Sequence, residues 1–188
     1  MRITGGVHRS RPLKAPRGSA TRPTSDRVRE ALFAILGSVD AIDGARVLDL
    51  YAGTGALGLE ALSRGAAHAT LVEKGRDALA AIRANVAALR EEARTRVMAA
   101  PVARVGAALG DERFDLVFAD PPYADVAKGT TSNELAAVVD AHLAPRARVI
   151  VEHASADAPP TIGGLRPIET RRYGDTSLTF YLALRDEM

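Results

Sequence analysis

Val47–Glu60 reads V-L-D-L-Y-A-G-T-G-A-L-G-L-E, and this stretch decides the fold. A short β-branched apolar run, Arg46–Tyr51, enters the pattern Gly53-x-Gly55-x-x-Gly58 and leaves it with helical spacing over Ala56–Arg64, which stops at Gly65. Glycines let the backbone turn sharply and approach a ligand closely, and the N-terminus of the following helix favours an anion or carboxylate. Downstream the alternation continues. Ala69–Glu73 reads as a second strand, Arg76–Arg90 as a helix, Val97 as the start of a third strand and Phe114–Ala119 as a fourth; a helix near Ser132–Leu143 and a fifth strand at Arg148–Glu152 follow. Strands this continuously apolar are buried on both faces, as in a parallel sheet covered by helices.

The two ends depart from the pattern. Ile168–Tyr173 and Ser177–Leu184, joined at Gly174-Asp175, carry a hairpin signature, so the sheet is expected to finish in antiparallel strands. At the front, Gly- and Arg-rich Arg2–Lys14 predicts a small hairpin. Thr24 or Ser25 then caps a helix whose apolar face is Val28, Ala31, Leu32, Ile35 and Leu36. The expected architecture is one α/β domain over residues 1–188, with 1–37 as a basic N-terminal extension and first helix.

Composition narrows the chemistry. The 188 residues, 47% apolar and 26% charged, are enough for one substantial core and too few for two ordinary domains. The absence of cysteine excludes disulfides, thiolate zinc sites and Cys nucleophiles. His68, His142 and His153 are scattered without metal-ligand spacing, so no metal is expected. No run reaches the roughly 18 apolar residues of a membrane span, and the start has no apolar signal core, so the expected location is the cytoplasm. Residues 1–30 hold eight Lys/Arg (Arg2, Arg9, Arg11, Lys14, Arg17, Arg22, Arg27, Arg29) against Asp26 and Glu30, whereas the rest of the chain is net acidic. A basic arm on an acidic body suits a polyanionic partner.

The glycine loop alone also satisfies a dinucleotide fingerprint, with Glu73 lying 20 positions after Gly53. Asp49 argues otherwise. In the dinucleotide motif the first glycine follows the strand directly, but here a carboxylate sits in the strand end four residues earlier. It would disfavour a pyrophosphate and suits the ammonium of an amino-acid moiety, such as that of S-adenosylmethionine. Glu73 would then accept the ribose hydroxyls.

Asp120-Pro121-Pro122-Tyr123 closes the fourth strand. The prolines fix an extended backbone and donate no N–H, so the Asp120 side chain and the Pro121 carbonyl form two acceptors aimed together. Tyr123 adds a flat face. Two acceptors and a ring suit the exocyclic amine of a flipped nucleobase. Pulling on the N–H bonds localises a lone pair otherwise delocalised into the ring, so rate comes from positioning and electrostatics rather than a strong base.

With D-L-Y-A-G-T-G, an acidic second-strand end and D-P-P-Y in this order, the chain resembles class I S-adenosylmethionine-dependent methyltransferases acting on an exocyclic amine. Arg22–Phe33 (R-P-T-S-D-R-V-R-E-A-L-F) and G-A-L-G-L-E-A-L-S-R-G-A after the loop narrow the resemblance to the RsmD family of small-subunit rRNA guanine-N2 methyltransferases. The similarity runs over nearly the whole chain. It implies a Rossmann-like fold with a mostly parallel seven-stranded sheet and helices on both faces. It also implies methylation of N2 of guanine 966 in 16S rRNA, within a partly assembled small ribosomal subunit. A monomer is expected. Carried over residue by residue, Asp120, Pro121 and Tyr123 are the catalytic motif. Asp49, Ala52, Gly53, Gly55, Glu73 and Thr24 fall on the cofactor. Arg2, Arg9, Arg11, Lys14, Arg22, Arg27 and Arg29 face the RNA. After the third strand Met98–Val102 has no polar side chain, so backbone groups near Ala100 and Val102 must meet the adenine amine. Rival expectations are an N6-adenine or protein-amide methyltransferase with the same D-P-P-Y loop, a nicotinamide-dependent oxidoreductase, and a non-catalytic RNA-binding assembly factor.

Overall fold

A computed structural model of the protein describes residues 1–16, 25–122, 126 and 129–183. The alternation read from the sequence becomes one mixed sheet. Its strands are β1 (Arg46–Leu50), β2 (His68–Glu73), β3 (Thr95–Ala99), β4 (Phe114–Ala119), β5 (Leu143–Ala154), β6 (Pro167–Tyr173) and β7 (Thr176–Leu182). Their spatial order is β3-β2-β1-β4-β5-β7-β6. The first five strands pair in parallel, while β7 runs antiparallel to both β5 and β6, as the hairpin signature predicts. This is a Rossmann-like sheet, and its order reverses between β1 and β4.

Alternate side chains of β1, β2, β4 and β5 enter two cores. Val47, Leu71, Leu116, Phe118 and Ile150 pack on one face with α1 (Asp26–Ser38), α2 (Ala56–Ser63) and α3 (Arg76–Leu89). Leu48, Leu50, Val72, Val117 and Val149 pack on the other with the short α4 (Gly106–Leu109) and with α5 (Thr130–His142). Both faces are covered, which is why the strands are apolar throughout. Ser25 rather than Thr24 caps α1, its hydroxyl accepting the Val28 N–H at 3.2 Å. The buried face of α1 contains Arg29 and Phe33 beside Val28, Leu32 and Leu36, while Ala31 and Ile35 are only partly covered. Strand β5 starts five residues earlier than Arg148, because Leu143, Ala144 and Ala147 are buried and Leu143 pairs with Phe114 across a register slip.

The basic arm is no solvated tail. Its predicted hairpin closes through the antiparallel bridge between Arg2 and Pro12 and the Ile3 N–H to Arg11 carbonyl bond at 2.9 Å. Ile3 and Leu13 insert into the core. Glu60 on α2, fully buried, anchors the arm: its carboxylate accepts the Thr4 and Gly5 amides and the Thr4 hydroxyl, all at 2.8 Å. The same carboxylate pairs with Arg64 at 2.8 Å and Arg29 at 3.4 Å. Arg29 also donates to Asp26 at 2.9 Å and to the Arg2 carbonyl. Nearby, Gly6 sits at φ 73°, where an added Cβ would run into the Ser63 carbonyl. His8 of the arm meets Glu91 at 2.6 Å.

Removing one partner of a buried charge pair leaves the other uncompensated. Glu60→Gln is therefore expected to cost about 3 kcal/mol in urea denaturation. It should also speed hydrogen exchange at the Thr4 and Gly5 amides more than at β1.

Candidate active site

Parallel strands turn to helices at their carboxyl ends, and a crevice opens where the strand order reverses. Here that crevice is a cavity of about 530 Å³, within the usual range for small-molecule sites. Asp49, Ala52 and Gly53 of the first loop, Glu73 of β2, Ala100 and Val102 after β3, and Asp120 and Pro121 after β4 all line it. Residues far apart in the chain thus share one wall.

Asp49 is 1% exposed, and its Oδ2 accepts the Gly58 N–H at 2.9 Å. Gly58 has to be glycine for α2 to lie this close, because a Cβ would stand 2.3 Å from Leu71 Cδ2. Burial pushes the Asp49 carboxyl up to about 7; the Gly58 hydrogen bond opposes this and the charge of Glu73 adds to it. An acid with so few partners is a place for a cation. Glu73 is held differently, with Oε2 accepting the Gly53 N–H at 2.9 Å and Oε1 accepting those of Lys74 and Gly75 at 2.8 and 2.7 Å. Backbone amides therefore orient this carboxylate toward the cavity before any ligand arrives.

The glycine loop has separate tasks. Gly53 (φ 57°) turns its N–H to Glu73, whereas Gly55 (φ 77°) starts α2 behind Leu71 and does not line the cavity. Ala52 is pinned by its N–H to the Val72 carbonyl at 2.9 Å. The Ala100 N–H is already given to the Glu73 carbonyl at 3.1 Å, so it is engaged within the backbone, and a ligand amine at this wall, being a donor, requires a carbonyl. Asp120 and Pro121 leave β4 beside the end of β1, with the Asp120 N–H 3.5 Å from the Leu50 carbonyl. Tyr123, Thr24 and Arg22 lie outside the described residues.

The basic residues divide. Arg2, Arg9, Arg11, Lys14 and Arg27 are exposed, although Arg11 reaches the Ala88 carbonyl and Arg2 lies 3.8 Å from Asp26. Arg29 corrects the expectation that it faces RNA: it is fully buried, pinned by Glu60 and Asp26, and borders the cavity from the interior. The sequence reading missed Met1 and Pro16, which bring the arm to the cavity, and Tyr51 and Glu134, which close another side. Asn85 on α3 ties Lys14 to the Thr54 carbonyl at the glycine loop. Charge spacing could not have found Met1 or Glu134, since neither lies in a local motif.

The comparisons agree with this geometry. The family described as conserved hypothetical protein 95 matches residues 1–182. The protein named "Putative rRNA methyltransferase YlbH" in Bacillus subtilis (strain 168) is 34% identical over 96% of this chain and 98% of its own length. The chain belongs to the RsmD-type methyltransferase family. Ribosomal RNA small subunit methyltransferase D of Escherichia coli (strain K12) is 45% identical, over 65% of this chain and 60% of that protein. A solved structure of a hypothetical protein from Thermus thermophilus superposes with a TM-score of 0.81 at 34% identity, covering 96% of this chain and 98% of that one. The sheet described above is thus the class I methyltransferase fold of this family.

A carboxyl that holds its proton to about 7 when folded and has an ordinary value of 3.8 when unfolded contributes stability at low pH and loses it as pH rises toward 7. Asparagine keeps an acceptor for Gly58 without the charge. Asp49→Asn is accordingly expected to match the parent near pH 4 and to be about 2–4 kcal/mol more stable at pH 8 in denaturant unfolding.

Proposed function

We propose that the protein methylates the exocyclic N2 of a guanine in 16S rRNA, at position 966, within a partly assembled small subunit. The reading places it in the cytoplasm, as a monomer without a metal. S-adenosylmethionine is the cofactor, and it supplies a methyl group on a positively charged sulfur. The single observation that supports the reading most is the common cavity of Asp49, Glu73, Asp120 and Pro121.

The residues fit that cofactor. Asp49 has the buried charge to meet an ammonium, whose approach stabilises the ionised carboxylate. Glu73, with its carboxylate held by Gly53, Lys74 and Gly75, keeps lone pairs for two ribose hydroxyls. Apolar Val72 and Val102 and the backbone at Ala100 border a flat adenine. On the substrate side, Asp120 and the Pro121 carbonyl accept the two N–H bonds of the amine and turn its lone pair toward the methyl. Tyr123 stacks on the base by the family motif. Transfer neutralises the sulfonium, and the amine proton departs afterwards to water or Asp120. Exposed Arg2, Arg9, Arg11, Lys14 and Arg27, with Arg22 of the family segment, supply phosphate contacts that position the RNA without reading its sequence.

The decisive experiment incubates the protein with methyl-labelled S-adenosylmethionine and small subunits lacking the modification, then digests the RNA to nucleosides. Label is expected in N2-methylguanosine at one site; label in N6-methyladenosine or in protein would overturn the guanine reading. Asp120→Ala should lower kcat by about 100-fold or more while leaving S-adenosylhomocysteine affinity within about threefold, and Glu73→Ala should instead weaken that affinity about tenfold. Charge reversal at Arg9, Arg11 and Lys14 should raise KM for subunits and flatten its salt dependence by roughly one slope unit per lost phosphate contact.

A further inference from the structure

The cavity holds a fourth carboxylate beside Asp49, Glu73 and Asp120, one that neither the ammonium, the ribose nor the amine requires. Glu134, half-buried on α5, lines it together with Asp120 and Pro121. Its Oε2 accepts the Tyr51 hydroxyl at 2.6 Å, and among the described residues its Oε1 has no hydrogen-bond partner. Tyr51 makes this bond from a left-handed backbone, φ 62°, which a bulky aromatic seldom adopts. Strain of this kind persists where the surroundings hold it, and it clusters at functional sites. Leu50 of β1 is in register with Ala119 of β4, so Tyr51 and Asp120 leave the sheet as neighbours. An acceptor of fixed direction therefore stands in the compartment where the amine of the base is to be held.

We propose that Glu134, oriented by Tyr51, accepts the N1–H of the target guanine and so determines which base is methylated. The inference rests on the guanine-N2 reading above. On the Watson–Crick edge of guanine, the N1–H donor lies directly beside the N2 amine. Once Asp120 and the Pro121 carbonyl hold the amine, the next donor along the edge meets a carboxylate, which can only accept. In adenine both ring nitrogens flanking the amine are acceptors, so the same carboxylate would face a lone pair. A site that has to leave a partly buried charged acceptor unpaired discriminates more strongly than one that merely loses a contact.

The test uses small subunits reconstituted from ligated rRNA carrying either guanosine or 2-aminopurine riboside at the methylated position. 2-Aminopurine keeps the 2-amino group and replaces the N1–H with a lone pair. The parent protein, Glu134→Gln, Glu134→Ala and Tyr51→Phe are compared, with S-adenosylhomocysteine affinity measured in parallel as the check on folding and cofactor binding. On guanosine, both Glu134 variants are expected to lose about 10- to 100-fold in kcat/KM and Tyr51→Phe a few-fold, all with cofactor affinity within about twofold. The parent should lose a similar factor on 2-aminopurine, whereas Glu134→Ala, which has no acceptor left, should lose no more than about threefold on the same exchange. Glu134→Ala as active as the parent, a loss carried wholly by cofactor affinity, or a guanosine-to-2-aminopurine ratio in Glu134→Ala unchanged from the parent would each overturn the inference. If the parent forms N2-methylguanosine and the Glu134 variants match it, only this inference fails. A parent that forms none sinks the guanine-N2 reading and this inference with it.

Discussion

The pairing of β1 with β4 is the constraint on which the remaining structure depends. Right-handed crossovers send the chain outward from β1 in one direction to β2 and β3, and from β4 in the other to β5, so the connecting helices cover opposite faces. The two sets of loops diverge above the β1–β4 seam, and a cavity opens there without any need for special residues. What the residues decide is its content. Carboxylates of three different elements, Asp49, Glu73 and Asp120, end at that seam, and each is managed by a different environment.

Asp49 is the clearest case of function set against stability. Within a strand buried on both faces its charge is expensive, and a single Gly58 N–H does not offset the loss of water. The protein tolerates this because a cationic ligand restores the missing partner. Glu73, by contrast, takes three backbone donors, which hold its carboxylate in place. Two carboxylates on neighbouring strands thus play different parts through burial and hydrogen bonding.

A second buried acid holds the scaffold to the arm. Glu60 gathers donors from Thr4, Gly5, Arg29 and Arg64, drawing the N-terminal hairpin, α1 and α2 onto one point. That closure carries Met1 and Pro16 to the rim of the cavity and leaves Arg9, Arg11 and Lys14 outside. Two of the arginines in the Arg22–Phe33 segment therefore have opposite fates, Arg27 in solvent and Arg29 in the core.

The sequence by itself determined the α/β alternation, the closing hairpin and the two motifs, because each is a local matter of period, glycine spacing or proline rigidity. Asp49, Glu73 and Asp120 were legible for the same reason, each sitting at the end of an apolar strand whose direction the pattern reveals. Only the tertiary structure decided that β1 and β4 are neighbours, that the arm is clamped instead of loose, and that Arg29 is interior. Charge and periodicity cannot separate a surface arginine from one paired to a glutamate 31 residues away. Glu134 shows the limit most plainly. On the helix it is one polar residue among many, and it acquires a role only because β1 turns at Tyr51 and sends a hydroxyl across 83 residues of chain to hold it.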